Sequence, residues 1–289
     1  MALAHEPVLL AEVLELLRPT DAGFYVDGTV GLGGHAEAVM QRSAPSGRLL
    51  GVDRDAETLA LAHERLAPFG ERVELNHRDF RRLPELLAER RAPDGILLDL
   101  GINSVQLDTP ERGFAFRSDG PLDMRMDRSQ EPPAAELVNR LSERELADLI
   151  FRFGEERASR RIARAICRAR PIQTTAELAA LVRRALPRRT RIDQATRTFQ
   201  ALRIAVNCEL EEIDESLEAL ASHLAPGGRL AVIAFHSLED RIVKHSFRDL
   251  KRRGFRLLTP KPIRPGEAEC GRNRRSRSAR LRALEREAA

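Results

Sequence analysis

The fold of this chain is decided by residues 24–35, which are FYVDGTVGLGGH. The first four residues, 24–27, are mostly apolar or aromatic and end in an acid, which predicts a short buried strand. A glycine-rich turn over 28–34 follows, and a helical stretch begins near Ala36. Because glycines let the backbone approach a ligand closely, a strand, glycine turn and helix in this order predict a binding site for a nucleotide-like molecule.

The same alternation continues along the chain. A second apolar strand over 48–53 ends in Asp53, and a helical pattern follows over 56–66. Further strands are predicted at 73–75 and 95–100, the latter a nearly continuous apolar run typical of a parallel sheet that is buried on both faces. Strands that alternate with helices predict a doubly wound α/β fold.

The alternation stops after residue 100 and resumes only near residue 229. A loop rich in Gly, Pro and Asp runs from Asp108 to Pro133, and amphipathic helical stretches follow at 143–153, 157–169 and 175–186. A helix over 209–224, a Pro-Gly-Gly junction and a strand over 229–235 then return to the α/β pattern. We therefore predict a discontinuous core over 1–108 and 206–289, with an inserted, mostly helical domain over 109–205.

Composition narrows the class of protein. Hydrophobic residues make up 42% of the 289 residues and charged residues 32%, as in a soluble globular protein. No apolar run approaches the roughly 18 residues of a membrane span, and the N-terminus lacks signal-peptide features, so we expect a cytoplasmic protein. The three cysteines, Cys167, Cys208 and Cys270, are far apart, which argues against disulfides and thiolate zinc sites.

The net charge of +4 conceals a division along the chain. Residues 151–200 hold 13 basic and 4 acidic side chains, and residues 241–289 hold 16 and 5. Two basic regions on an otherwise acidic chain favour a phosphate-rich partner such as nucleic acid. Because the excess is almost entirely Arg, a compositional habit and solvated charged faces stay open as the alternative. The Arg- and Ser-rich tail over 272–286 is expected to be disordered alone or ordered on RNA.

The glycine turn by itself admits more than one ligand. Residues 31–36, followed by Asp53 about 20 residues later, also match the G-x-G-x-x-A variant of the dinucleotide fingerprint, so NAD is an alternative. A tight turn without a ligand is another. Phe80, which offers an aromatic face for an adenine, and the order of elements over 209–235 favour S-adenosylmethionine instead.

Longer motifs carry a resemblance to a known family. The chain is similar over residues 5 to about 284 to the ribosomal small-subunit cytosine-N4 methyltransferases known as RsmH or MraW. The matching strings are HEPVLL (5–10), DGT (27–29), GGH (33–35), VDRD (52–55), QLD (106–108), RGF (112–114), DGPLDMRMD (119–127), GEE (154–156), ATRTFQALRI (195–204) and FHSLEDR (235–241).

The resemblance implies a Rossmann-like class I methyltransferase core with an inserted helical domain. It implies S-adenosyl-L-methionine as cofactor and the exocyclic N4 of a cytidine in 16S ribosomal RNA as methyl acceptor. The cofactor-binding residues that it implies are Gly33, Gly34, His35, Asp53, Phe80, Asp99 and Gln106.

Asp99 is the candidate catalytic residue. It closes the fourth predicted strand, and ligands of α/β sheets bind at the carboxyl ends of strands. A hydrogen-bond acceptor there would draw charge toward the N4 amine, whose lone pair is delocalised, and accept or relay its proton. The resemblance assigns Asp99 to the cofactor, so both roles stay open.

Other polar residues have alternative interpretations. His35 has no companion at ligand spacing, so no metal is predicted. His236 suggests a hydrolytic triad, but a loop at a strand end that lines the target pocket is favoured. Asp119, Asp123 and Asp127 are expected in an ion-paired loop. Arg197 and Arg203 either contact RNA phosphates or form structural pairs with Glu209 or Glu211.

The expected partner is small-subunit ribosomal RNA, alone or in the assembled subunit, and we expect neither membrane nor DNA binding. Whether the protein forms a homodimer stays open. An NAD-linked dehydrogenase and a non-catalytic RNA-binding protein are the alternative functions.

Overall fold

A computed structural model describes residues 6–129, 132–186 and 193–288, so His5 of the first motif lies outside the described residues. The chain forms two compact units. Residues 1–101 and 212–289 make up the sheet unit, and residues 102–211 make up the helical unit. The helical unit is longer than the domain expected over 109–205, because residues 102–108 and 206–211 pack with it.

The sheet unit is built on seven strands among the described residues. They are β1 (Phe24–Asp27), β2 (Arg48–Asp53), β3 (Val73–His77), β4 (Gly95–Asp99), β5 (Arg229–Ala234), β6 (Phe255–Leu257) and β7 (Arg280–Arg286). The strand order is β3-β2-β1-β4-β5-β7-β6. The first five strands pair in parallel, whereas β7 is antiparallel to both of its neighbours. The predicted doubly wound α/β fold is confirmed.

The helices of the described residues divide between the units. In chain order they are α1 (Leu10–Leu17), α2 (Gly34–Arg42), α3 (Ala56–Leu66), α4 (Leu83–Leu87), α5 (Ser104–Asp108), α6 (Ala134–Arg140), α7 (Glu143–Gly154), α8 (Ser159–Ala169), α9 (Thr175–Ala185), α10 (Thr196–Val206), α11 (Ile213–His223), α12 (Ser237–Leu250) and α13 (Glu267–Arg272). Helices α5 to α10 belong to the helical unit and the others to the sheet unit.

Burial on both faces explains the composition of the central strands. Every residue of β5 is buried, and β4 is buried up to Asp99. Apolar residues of α1, α2 and α3 join one core with Leu97 and Ile233, whereas α11 and α12 also pack against β5. Parallel strands need crossover connections, and α2, α3 and α11 lie in such connections, whereas α1 precedes β1. All of these helices cover the sheet.

The helical unit has a core of its own, to which α6 to α10 all contribute. Helices α7 and α9 begin with capping boxes, Ser142 with Glu145 and Thr174 with Glu177. A Cβ on Gly154, the last residue of α7, would lie 2.5 Å from the carbonyl oxygen of Arg197. Glycine at this position therefore lets α7 and α10 approach closely.

The expectation of a tail that is disordered without RNA is wrong. Residues 267–286 form α13, a short 3₁₀ turn over Arg274–Ser278, and β7, which lies between β5 and β6. Leu281 and Ala283 enter the core of the sheet unit, and Arg282 on the other face donates to Asp240 at 2.7 Å. The Arg-rich composition hid the alternation of period two that makes this segment a strand.

No helix among the described residues has both the length and the apolar character to cross a lipid bilayer.

Candidate active site

The glycine turn between β1 and α2 is held by backbone hydrogen bonds, one to β2 and one within the turn. The Val30 N–H donates to the carbonyl of Val52 at 3.0 Å, and the Gly33 N–H donates to the carbonyl of Val30 at 2.8 Å. Gly31 and Gly33 have φ values of 54° and 77°, in the left-handed region that favours glycine. Gly33 is also the N-cap of α2 and brings no side chain there. The start of α2 thus presents backbone rather than side chain, as nucleotide-binding turns require.

Three carboxylates close neighbouring parallel strands at one edge of the sheet. They are Asp27 of β1, Asp53 of β2 and Asp99 of β4. Asp53 accepts hydrogen bonds from the Gly31 N–H at 2.7 Å and the Asp55 N–H at 2.8 Å, so this acid holds the glycine turn in place.

Asp27 and Asp99 are joined to the same turn through Thr29. Asp27 Oδ1 accepts from the Thr29 N–H at 3.0 Å, and Thr29 Oγ1 accepts from the Asp99 N–H at 2.6 Å. Asp99 Oδ1 is buried and has no hydrogen-bond partner among the described residues. A buried carboxylate oxygen without a donor is costly, and it marks Asp99 as a group that a ligand can satisfy.

Burial and mutual repulsion perturb this carboxylate cluster. Burial raises the pKa of Asp27 to about 7 and that of Asp53 to about 6, although backbone donors oppose both shifts. Burial, followed by repulsion from Asp27 and Glu239, raises the pKa of Asp99 well above its ordinary value. Burial therefore disfavours the ionised carboxylates, and a cation bound beside the cluster would favour them.

His35 lies in the first turn of α2 and is buried. Its Nε2 is 2.9 Å from the Val8 carbonyl oxygen, which can only accept, so Nε2 carries a proton. Its Nδ1 is 3.6 Å from Asp99 Oδ2, too far for a hydrogen bond. His35 thus lies between the segment before α1, to which it is hydrogen-bonded, and the carboxylate cluster, which it faces.

Phe80 follows β3 and opens a 3₁₀ turn that Asp79 caps. A Cβ on Gly28 would lie 3.1 Å from the Cβ of Phe80, so the aromatic residue packs beside the start of the glycine turn. Asp79 accepts from Arg81 at 2.8 Å and lies 3.6 Å from Arg54. Its pKa is lowered by these partners against the opposing effect of burial.

The structure thus brings six predicted residues together in the sheet unit: Gly33, Gly34, His35, Asp53, Phe80 and Asp99. Gln106 lies in the helical unit instead, on α5. Its side-chain oxygen accepts from the Asn103 N–H at 3.0 Å, and its own N–H donates to Asn103 Oδ1 at 3.0 Å. This capping box fixes the start of α5, and the cofactor role of Gln106 stays a prediction.

Two acidic residues of this neighbourhood were not among the predicted site residues. Asp27 was named only as the end of a strand and in the DGT motif, although an acid there stands at the same edge as Asp53 and Asp99. Glu239 is buried on α12 and accepts from the Phe235 N–H at 2.8 Å. The capping-box spacing from His236 to Glu239 was the available signal for it.

His236 has a structural task at the start of α12. Its Nδ1 accepts from the Glu239 N–H at 3.3 Å, and its Nε2 lies 3.1 Å from Glu239 Oε1 without the geometry of a hydrogen bond. Asp240 is paired with Arg282 and lies 3.5 Å from Arg280. These pairings give the hydrolytic interpretation no support.

In the helical unit, Arg197 and Arg203 both lie near carboxylates. Arg203 forms a two-pronged pair with Glu209, with distances of 2.9 and 2.7 Å, which is the structural alternative. Arg197 lies 3.5 Å from Glu156. In the predicted ion-paired loop, Asp123 accepts from Arg125 at 2.7 Å.

Comparison with known proteins places these features in a family. A crystal structure of an rRNA methylase from Streptococcus thermophilus has a TM-score of 0.47 at 13% identity, over 98% of this chain and 99% of that one. Two proteins named Ribosomal RNA small subunit methyltransferase H are close relatives. The protein of Gloeobacter violaceus is 53% identical over 96% of this chain and 87% of its own length. The protein of Geobacter sp. (strain M21) is 50% identical over 97% and 98%. The model of the MraW methylase family matches residues 2–287, and the chain belongs to this family.

Proposed function

We propose that this chain is an S-adenosyl-L-methionine-dependent methyltransferase that methylates the exocyclic N4 of a cytidine in 16S ribosomal RNA. The observation that carries the proposal is the cluster of Asp27, Asp53 and Asp99 around the glycine turn. Membership of a methylase family and relatives named for small-subunit ribosomal RNA support it. The NAD-linked alternative has no such support.

The residues present fit this cofactor. S-adenosylmethionine carries a sulfonium and an ammonium cation beside its carboxylate. A cation bound next to these buried carboxyl groups would lower their raised pKa values and favour the ionised form that attracts it. Gly31 leaves open space, since a Cβ there would meet only the Thr29 carbonyl oxygen, at 3.8 Å. Asp53 at the end of β2 is placed to accept hydrogen bonds from ribose hydroxyls, and Phe80 to contact an adenine. Gly33, Gly34 and His35 would complete the pocket, and the cofactor role of Gln106 remains a proposal that rests on the resemblance.

The cofactor, when bound, supplies an activated methyl group for an in-line displacement. The protein has to align the acceptor nitrogen with that group and exclude water. We assign to Asp99 the acceptance of a hydrogen bond from the N4 amine, because its Oδ1 is buried and lacks a donor. A cation bound beside the cluster lowers the pKa of Asp99, so the carboxylate is ionised when the amine must lose its proton.

His35 would act on Asp99 rather than on the substrate. His35 Nε2 is held by the Val8 carbonyl at 2.9 Å, and Nδ1 lies 3.6 Å from Asp99 Oδ2, so the ring is fixed beside this carboxyl group. We therefore propose His35 as a positioning residue for the Asp99 carboxyl group.

The helical unit is proposed to contact the RNA. Arg161, Arg164 and Arg168 recur along α8 at spacings of three and four residues, so they share one exposed face. Arg164 lies 3.2 Å from Glu143, whereas the other two have no carboxylate at ion-pair distance among the described residues. A row of exposed guanidinium groups is suited to binding RNA phosphates. We propose that the reaction takes place in the cytoplasm, where ribosomes assemble.

The test is transfer of labelled methyl groups from S-adenosylmethionine to small ribosomal subunits and to the naked RNA. The RNA is then digested and the labelled nucleoside is identified. We expect N4-methylcytidine. Label on another nucleoside would refute the cytosine-N4 assignment, and RNA binding without transfer would favour the non-catalytic alternative.

A further inference from the structure

A second concave feature of the sheet unit lies away from the glycine turn. A cavity of about 540 Å³ is formed by the second half of α12, the short 3₁₀ turn after it, and the chain that follows β6. We call it the α12 cavity. It is lined by Lys244, Phe247, Arg248, Lys251, Arg252, Leu257, Thr259, Pro260 and Arg282.

The lining is strongly cationic. Five of its nine residues are Lys or Arg, and none of the described lining residues is acidic. Arg252 has Asp249 as a partner at 3.2 Å, and Arg282 has Asp240 at 2.7 Å.

The other three cations are not neutralised. Within the described part of the chain, no carboxylate lies within 4.0 Å of Lys244, Arg248 or Lys251. The cavity therefore holds about three uncompensated positive charges.

Helix stability alone does not account for this arrangement. Cations in the last turn of a helix are stabilised by its macrodipole, which explains Arg248 and Lys251. Lys244 lies more than a turn before the end of α12, and Arg282 reaches the same cavity from β7. Lys244, Arg248 and Lys251 follow the spacing i, i+4, i+7, which places them on one side of the helix. Two elements thus converge on one basic surface.

Part of the cavity lining is apolar. Phe247, which is buried, Leu257 and Pro260 line the cavity together with the cations. A surface that combines cations with apolar side chains suits a strand that has phosphates and the less polar sides of sugars and bases. Its volume is within the usual range of about 300–1,000 Å³ for ligand clefts.

We propose that the α12 cavity binds the phosphate backbone of a strand of the ribosomal RNA substrate. This inference rests on the proposed function. An anionic membrane surface fits the cavity less well, because a membrane is flat and stable attachment also needs an apolar anchor. The lone exposed large hydrophobic residue among those described is Phe151, in the helical unit.

The test is a variant that neutralises the three unpaired cations, Lys244→Gln, Arg248→Gln and Lys251→Gln together. Its matched control carries Arg18→Gln, Arg42→Gln and Arg48→Gln, which removes the same charge from exposed positions outside the cavity. Binding of a small-subunit RNA fragment is measured without cofactor, over a series of salt concentrations, for both variants and the wild type.

We expect the cavity variant to bind RNA on the order of tenfold more weakly than the control near 0.15 M salt. We also expect a weaker salt dependence: the negative slope of log K against log salt should become shallower by roughly 2, as for three lost phosphate contacts to a single strand. A second variant, Lys244→Arg with Lys251→Arg, preserves all three positive charges and should bind RNA like the wild type.

Equal affinities and slopes for the cavity variant and the control would overturn the proposal. So would loss of binding to phosphatidylserine vesicles with RNA binding unchanged, which would assign the cavity to a membrane. Because RNA binding is measured without methyl transfer, failure of the proposed reaction leaves this result interpretable. An unchanged midpoint of thermal unfolding in the cavity variant shows that its fold is intact.

Discussion

Asp99 combines a buried oxygen that lacks a donor with a raised pKa, and both result from its place at the end of β4. Its backbone N–H donates to Thr29 and its side chain faces His35, so the group is fixed by the turn that would hold the cofactor. Such placement allows one carboxylate to assist both binding and proton acceptance.

We expect Asp99→Asn to lower the rate of single-turnover methyl transfer by about 100-fold or more, because the amide cannot take the amine proton. Rapid-quench measurement with labelled cofactor checks this. Glu64→Gln, an exposed acid of the same unit, is the matched control and should keep the wild-type rate. Full activity of Asp99→Asn at saturating cofactor would exclude the proposed catalytic role.

The cluster also predicts how stability depends on pH. An acid whose pKa rises from 3.8 to about 7 on folding, as for Asp27, keeps a proton in the native state that the unfolded chain releases. The stabilisation is present below about pH 4 and is lost as the pH rises through about 7. In urea denaturation without cofactor, Asp27→Asn should make this decline smaller, and the part caused by the raised pKa values of Asp53 and Asp99 should remain. The same decline in Asp27→Asn would show that other groups cause it.

Sequence reasoning located Asp53 and Asp99 because each ends an apolar run, and parallel strands bring such ends to one edge. It did not assign Glu239 to the site. The spacing that makes this residue part of a capping box does not show that its charge repels that of Asp99. The perturbed pKa values depend on burial among partners distant in sequence, which no local pattern specifies.

At the scale of elements, β7 is where the structure differs most from the prediction. Composition predicted a segment that is disordered without RNA, yet Arg280 and Arg282 alternate with apolar residues and pair with Asp240. Its pairing with β5 and β6 depends on strands 23 or more residues earlier, so composition alone could not show it.

Truncation after Ser278 should therefore prevent folding rather than only weaken RNA binding. It removes β7, leaves β6 without a neighbour and exposes the core around Leu281. Circular dichroism and thermal unfolding check this, and removal of residues 288–289 alone is the control. A truncated protein that unfolds cooperatively and binds cofactor would contradict the role of β7.

Helix α8 carries the prediction for the helical unit. Arg161→Gln with Arg168→Gln should weaken binding of ribosomal RNA severalfold and reduce its salt dependence, with cofactor binding unchanged. Filter binding over a salt series measures this. Arg117→Gln with Arg184→Gln, exposed residues of the same unit outside α8, is the matched control. Equal losses in both pairs would mean that α8 has no special part in RNA binding.

At the scale of the whole molecule, the periodic patterns predicted the α/β core and the helical insertion, because buried parallel strands and amphipathic helices are local signals. The division into compact units falls a few residues outside the bounds predicted for the insertion. Residues 102–108 and 206–211 pack with the helical unit through contacts that local patterns do not encode.

The central claim is that the carboxylate cluster around the glycine turn binds a cationic methyl donor. Calorimetric titration of the purified protein with S-adenosylmethionine, and separately with NAD, tests it most directly. We predict saturable binding of S-adenosylmethionine whose affinity increases between about pH 6 and 7, as Asp53 and Asp27 ionise, and no binding of NAD. Absence of S-adenosylmethionine binding by the folded protein across this pH range would contradict the account.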